Sequence, residues 1–247
     1  MRASASGPNV SNGPGGPGGP SAVLLDMDGT LVDSEHLWLR AEEDVMDQRG
    51  SSWTPEDQAH CLGGPLERVA AYMAGKAKTA HDDTIHSPDE VGSMLLESIE
   101  AYMRSEPLVW RPGAAQFLRS CLAGQLPTAL VTASWARLVA ALSDRIELEF
   151  GLDPFDVVIA GDHVVNSKPH PEPYLAAAAA LGVQPVDCLA IEDSPTGVCS
   201  AIAAGCTVVA VPHIAAVDDI VSGADRAVVV SSLEGCSPHA LWSLAVG

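Results

Sequence analysis

Short apolar runs rich in β-branched residues recur along the chain, each bounded by Gly, Pro or Asp. They are Ala22–Leu25, Ala129–Val131, Val157–Ala160, Cys188–Ile191, Val208–Val211 and Ala227–Val230. Runs that are apolar at consecutive positions, rather than at alternate ones, mark strands buried on both faces, as in a parallel sheet. Between them the pattern is helical. Ala114–Leu122 follows Arg111-Pro112-Gly113, Trp135–Leu142 follows Ser134, and Pro173–Leu181 ends at Gly182. Pro195–Ala204 has the fullest punctuation, with Ser194 as N-cap, Pro at the first helical position and Gly205 just past the end. Strand–helix alternation of this kind implies right-handed crossovers and a doubly wound, Rossmann-like α/β parallel sheet.

Two segments break the alternation. Residues 34–106 contain no strand pattern. Ser34 is placed to cap a helix with Leu37, Trp38, Ala41, Val45 and Met46 at helical spacing, and further helices are expected at Leu66–Met73 and Asp89–Met103. This reads as a helical insert after the first strand, suited to a lid, with hinges near 32–34 and 106–111. The α/β core is then 21–33 and 107–247. Residues 1–20 stand apart: ten of the twenty are Gly or Pro, and Arg2 carries the only charge. Such a segment has too little apolar area to fold and is expected to be a disordered tail.

Composition narrows the partners. The 247 residues include 13 basic and 32 acidic ones, a formal net charge of −19. That field repels nucleic acid and anionic membranes, so neither is an expected partner. None of the six cysteines forms a C-x-x-C pair, which suggests free thiols in a reducing compartment. No 18-residue apolar run occurs and the first residues lack the apolar stretch of a secretion signal. A cytoplasmic monomer is the expectation.

Ligands of open α/β sheets bind at the carboxyl ends of strands. The polar residues there are Asp26-Met27-Asp28-Gly29-Thr30, then Thr132-Ala133-Ser134, then Lys168-Pro169 after a loop, and Glu192-Asp193-Ser194. The topology brings several carboxylates, one lysine and small hydroxyls to one edge. Crowded carboxylates repel unless a cation sits among them, and Mg²⁺ is the usual partner of carboxylates that face a phosphate. A lysine and a hydroxyl beside it suit phosphoryl oxygens. For any one of these positions, capping the next helix is an equally good account; four complementary strand ends together favour phosphoryl transfer.

Residues 26–34 (DMDGTLVDS) resemble the first motif of the haloacid dehalogenase superfamily, Val131-Thr132 its second, Lys168-Pro169 its third and Glu192-Asp193-Ser194 its fourth. All four stand in order, so the resemblance spans about residues 22–230, and the insert resembles a C1-type cap. The branch most resembled is the β-phosphoglucomutase-like one, and within it the sugar-phosphate phosphatases of hexitol and 2-deoxyglucose-6-phosphate type, through 33–46, 62–69, 167–175 and 191–198. The resemblance implies a Mg²⁺-dependent phosphatase acting on a small phosphorylated metabolite. Asp26 would be the nucleophile, forming an aspartyl-phosphate, and Asp28 the general acid and then base. Asp26, the Asp28 carbonyl and Asp193 would hold the metal, with Glu192 as a ligand or just behind one. Thr132, Ser134 and Lys168 would hold the phosphoryl group, above the turn that Gly29 permits.

Three alternatives stand beside this reading. A phosphomutase of the same branch is expected to carry His near position 38, an Arg in the cap and Lys-Asn after the second motif; here Trp38, Glu67 or Arg68, and Trp135-Ala136 stand there. Phosphonate hydrolysis would need a cap lysine, and Lys76 and Lys78 read as solvated. A catalytically silent binding module should show gaps at Asp28, Lys168 or Asp193. In the cap, His36, Trp38 and Arg68 are candidate specificity residues, each with a packing or surface-ion-pair account as rival. His163 and His170 flank the third motif; His170, between two prolines, reads as structural.

Overall fold

The computed structural model describes residues 18–61, 66–77 and 87–247. The expected disorder of the Gly/Pro-rich tail falls almost wholly outside the described residues, as do Gly63, Gly64 and Lys78.

Six strands form one parallel sheet: β1 (Ala22–Leu25), β2 (Thr128–Val131), β3 (Val157–Ile159), β4 (Cys188–Glu192), β5 (Thr207–Ala210) and β6 (Ala227–Val229), in the order β3-β2-β1-β4-β5-β6. The helices are α1 (Glu35–Gln48), α2 (Pro55–Cys61), α3 (Leu66–Ala77), α4 (Pro88–Ser105), α5 (Ala114–Ala123), α6 (Ala136–Phe150), α7 (Glu172–Leu181), α8 (Pro195–Ala204), α9 (Asp218–Val221) and α10 (Pro238–Val246). The four central strands are buried at every position, whereas the edge strands β3 and β6 are half-buried. Continuous apolar runs follow from this: both faces of a central strand meet helices. Along β1 the side chains alternate, Val23 and Leu25 packing with Phe117, Val139 and Trp242 on one face, Ala22 and Leu24 with Tyr174, Val198 and Ala201 on the other.

Helices α1–α4 all lie between β1 and β2 in the chain and share their own apolar cluster, built on Leu37, Val45, Met73, Leu95 and Ile99. Helix α6 serves two cores. Val139, Leu142 and Ile146 face the sheet, while Leu138 and Ala141 join the cluster of the inserted helices. The two connections to the insert run side by side and antiparallel, Asp33 donating its N–H to Val109 and Arg111 to Leu31.

Three helices lie outside the expected pattern, of which α9, at four residues, is too short for a periodic signal. Helix α2, PEDQAHC, carries too few apolar residues for a periodic signal. Helix α10 does carry the start signal, with the Ser237 side chain accepting from the Ala240 N–H and Pro238 at the first turn. Ser194 caps α8 as expected, through the Gly197 N–H. Ser34 does not cap α1 through its side chain; its hydroxyl is turned to Asp28 instead. All six cysteines are free. Among the described residues, no helix is long and apolar enough to cross a membrane.

Candidate active site

Strand order reverses direction between β1 and β4, where consecutive connections leave on opposite sides of the sheet. Such a switch point opens a crevice at the strands' carboxyl ends. The β1–β4 register pairs Leu25 with Ile191, and the Asp26 N–H donates to the Ile191 carbonyl at 3.0 Å. Asp26 and Glu192 therefore emerge side by side, with Asp193 next in line. One oxygen of each of these three buried carboxylates lies within 4.8 Å of the other two.

Lys168 reaches this edge from the loop after β3. Its ammonium donates to Asp26 Oδ1 at 2.6 Å, to the Val131 carbonyl at 2.8 Å and to Glu192 Oε1 at 2.5 Å, which accounts for all three of its protons. Burial alone would lower the Lys168 pKa, but Asp26 and Glu192 outweigh it and hold the ammonium charged. Burial, with Glu192 adding to it, pushes Asp26 well above the usual carboxylate range despite Lys168. Asp193 is pushed up to about 7, by burial first and then by Glu192, against the Thr30 hydroxyl that donates to it at 3.1 Å. One lysine is too little positive charge for three buried carboxylates. The donor set is hard oxygen throughout, and a divalent cation such as Mg²⁺ fits both the charge and the chemistry.

Asp28 is half-buried and held from both sides. The Ser34 hydroxyl donates to Oδ1 at 2.5 Å and the Ser134 hydroxyl to Oδ2 at 2.7 Å. These hydroxyls come from the start of the inserted helices and from the loop after β2, so the orientation of Asp28 depends on both parts of the chain. Thr132 lies beneath this loop; its Oγ1 accepts the Ser134 N–H at 3.0 Å. Gly29 has φ +83°, and a Cβ there would stand 2.3 Å from Asp193 Oδ2. Both its backbone angle and the carboxylate against it require glycine.

The residues singled out in the sheet thus converge at one edge, and Arg68 and Trp38 of the insert have local partners. Arg68 donates to the carbonyls of His60 and Cys61 at the end of α2. Trp38 packs against the apolar cluster of the insert. His36 is exposed, on the wall of a small crevice at the hinge with Asp33, Glu106 and Val109. Lys76 is not solvated as expected but paired with the buried Asp57 beneath Tyr72. His163 Nδ1 accepts the Ala160 N–H, and His170 accepts the Glu172 N–H and, at its carbonyl, the Ser200 hydroxyl, so both have local structural partners. Thr30, Ser34 and Tyr174 were not assigned as site residues. Thr30 and Ser34 lie in the same motif as Asp26 and could have been read as hydroxyls aimed at nearby carboxylates. Tyr174 meets Glu192 only through the fold.

Residues 23–211 match the family described as haloacid dehalogenase-like hydrolase. The chain belongs to that family. Among curated relatives, a Drosophila melanogaster protein named "Probable pseudouridine-5'-phosphatase" is 35% identical over 192 residues, covering 76% of this chain and 80% of the relative. Hexitol phosphatase B of Escherichia coli (strain K12) is 31% identical over 199 residues, covering 80% and 86%. Among solved structures, CbbY from Rhodobacter sphaeroides in complex with phosphate superposes with a TM-score of 0.70 at 27% identity, covering 87% of this chain and 96% of that one.

Proposed function

We propose that this enzyme hydrolyses a small phosphorylated metabolite, a sugar or polyol phosphate, with Mg²⁺ and through a phosphorylated Asp26. As a phosphoric monoester hydrolase it keeps the company of relatives named as phosphatases. The observation that carries the mechanism is the meeting of Asp26 with Lys168 at the β1–β4 switch point, beside an Asp28 held by two hydroxyls.

In the first half-reaction an Asp26 carboxylate oxygen attacks phosphorus. A bond forms between Asp26 and phosphorus while the ester P–O bond breaks, and Asp28 gives its proton to the departing oxygen. In the second, Asp28 takes a proton from water as that water attacks the acyl phosphate, releasing inorganic phosphate and the Asp26 carboxylate. Lys168 offsets the charge of Asp26 and then of the transferring oxygens. Thr132 and the backbone turn at Gly29 complete the phosphoryl cradle. Ser134 is committed to Asp28 and serves by steadying it. Asp26, Asp193 and the Asp28 carbonyl would hold Mg²⁺, which supplies charge neutralisation for the nucleophile and the phosphoryl oxygens. Glu192, an expected ligand, already receives donors on both oxygens, so its part is to hold Lys168 and the loop after β4.

Residues 34–106 act as the cap over this crevice, entered through the paired connections at 31–33 and 109–111 and contributing Ser34 directly to Asp28. The polyol or sugar end of the substrate follows from the hexitol phosphatase likeness. The free thiols and acidic surface suit a cytoplasmic enzyme meeting a free metabolite. The test is a Mg²⁺-dependent screen over hexitol, hexose, nucleoside and nucleotide phosphates. Phosphate release from a sugar or polyol phosphate, abolished by EDTA, is expected. Interconversion of sugar phosphates without phosphate release would install the mutase, and inactivity across the panel would install the binding module.

A further inference from the structure

Tyr174 is wholly buried; its ring sits in the apolar cluster with the Lys168 ammonium 5.3 Å from its centroid, and the hydroxyl is its one hydrogen-bonding group. That hydroxyl donates to Glu192 Oε1 at 2.8 Å. Glu192 is itself fully shielded and saturated. Oε1 takes Lys168 and Tyr174; Oε2 takes the N–H groups of Asp193 and Ser194 and the Ser194 hydroxyl. The carboxylate lies on the first turn of α8 where that helix has no side chain: a Cβ at Gly197 would stand 1.8 Å from Oε1. Five donors and one missing methyl group therefore define a single position for Glu192. Lys168 is the only one of these partners that also touches the nucleophile.

We propose that Tyr174 is a positioning residue for phosphoryl transfer, acting through Glu192 to set how strongly Lys168 is drawn away from Asp26; this rests on the roles assigned above to Asp26 and Lys168. Glu192 Oε1 shares its negative charge between two donors. With the hydroxyl removed, the lone pair it filled is empty, and Glu192 competes harder for the ammonium against Asp26 and against the incoming phosphoryl oxygens. The ring is not needed for this effect, and neither is any contact of Tyr174 with substrate.

The experiment uses the full chain with p-nitrophenyl phosphate and Mg²⁺. Tyr174→Phe keeps the ring and is expected to lower kcat about 10-fold, on the scale of lost partners one step behind a reacting group. KM should stay within about 2-fold and the thermal unfolding midpoint near that of the parent, a split that a general packing defect would not produce. In a Glu192→Gln background the same change should cost less than about 2-fold, because residues that act through one another are not additive. Gly197→Ala pushes Glu192 from the other side and should reproduce the kcat loss, which keeps the test standing if Tyr174→Phe folds poorly. Parental kcat in an active enzyme carrying either change, or an equal cost of Tyr174→Phe in both backgrounds, overturns the inference alone. A parent that hydrolyses no phosphate ester overturns the underlying reading and the inference together.

Discussion

Lys168 donates from Nζ to Oδ1 of Asp26 at 2.6 Å, and the two side chains are only 4% and 8% exposed. A pair so shielded gains little net stability by existing, but removing one partner strands the other. Lys168→Met would leave Asp26 and Glu192 buried with no cation between them. In EDTA this variant should lose about 3–5 kcal/mol of stability by urea unfolding. Added Mg²⁺ should recover part of the loss while phosphatase activity stays absent. A variant as stable as the parent without metal would show that the pair is not the electrostatic centre of the site.

Gly29 and Asp193 make a second close relationship. Gly29→Ala must both hold an alanine at φ +83° and move a carboxylate oxygen 2.3 Å from the new methyl group. A displaced Asp193 weakens metal retention, so kcat/KM should fall about 10- to 100-fold, with the Mg²⁺ concentration for half-maximal rate shifted upward. Unchanged Mg²⁺ dependence would separate Asp193 from the metal.

The inserted helices meet the sheet body through two kinds of contact on α6, and magnitudes decide between them. Arg137 of α6 pairs with Glu100 of α4, and Arg104 of α4 with Asp144 of α6, but these groups are partly solvated, and such pairs contribute about 1 kcal/mol or less. Leu138 is wholly buried in the insert's cluster. Leu138→Ala should cost about 2–5 kcal/mol and Glu100→Ala under about 1 kcal/mol, read by urea unfolding. The reverse order would mean that ion pairs rather than packing join the two parts.

Glu42 offers a pH test outside the catalytic crevice. Burial raises its pKa to about 7, against the opposing hydrogen bond from Trp53 Nε1 at 3.1 Å, with Glu35 and Glu43 adding to the rise. The folded chain therefore holds this proton more tightly than the unfolded chain, whose glutamate titrates near 4.5. Stability from this group is full below about pH 4.5 and is lost as pH rises through about 7. Glu42→Gln should raise the unfolding midpoint at pH 8 and leave it near that of the parent at pH 4.5. An equal effect at both pH values would assign the change to packing rather than ionisation.

The sheet was legible because two-sided burial writes itself as uninterrupted apolar runs, and each of the six ends within a residue or two of its strand. The site was legible to the extent that it lies directly after those strands: Asp26, Thr132 and Asp193 need only the topology to converge. Tyr174 was opaque because its hydroxyl meets Glu192 only after α7 has docked under the sheet. Ser34 stands at the N-cap position of α1 as expected, but the side-chain orientation that donates its hydroxyl to Asp28 leaves no helix N–H donating to its oxygen. In the insert, Arg68 and Lys76 are long cations whose partners, the carbonyls ending α2 and the buried Asp57, depend on how α2 and α3 pack. That helix α2 carries no periodic pattern explains why neither pairing could be foreseen.

The central claim is that Asp26 becomes phosphorylated, and trapping that species tests it most directly. In Asp28→Asn the second half-reaction lacks its base, so the acyl phosphate should persist. The acid that Asp28 also supplies is needed least with a good leaving group, so mixing this variant with Mg²⁺ and p-nitrophenyl phosphate, quenching in acid and digesting for mass spectrometry should add the mass of one phosphoryl group to the peptide that contains Asp26. Asp26→Asn should show neither adduct nor turnover. Turnover by Asp26→Asn at the parental rate, or an adduct on any other residue, would contradict the account.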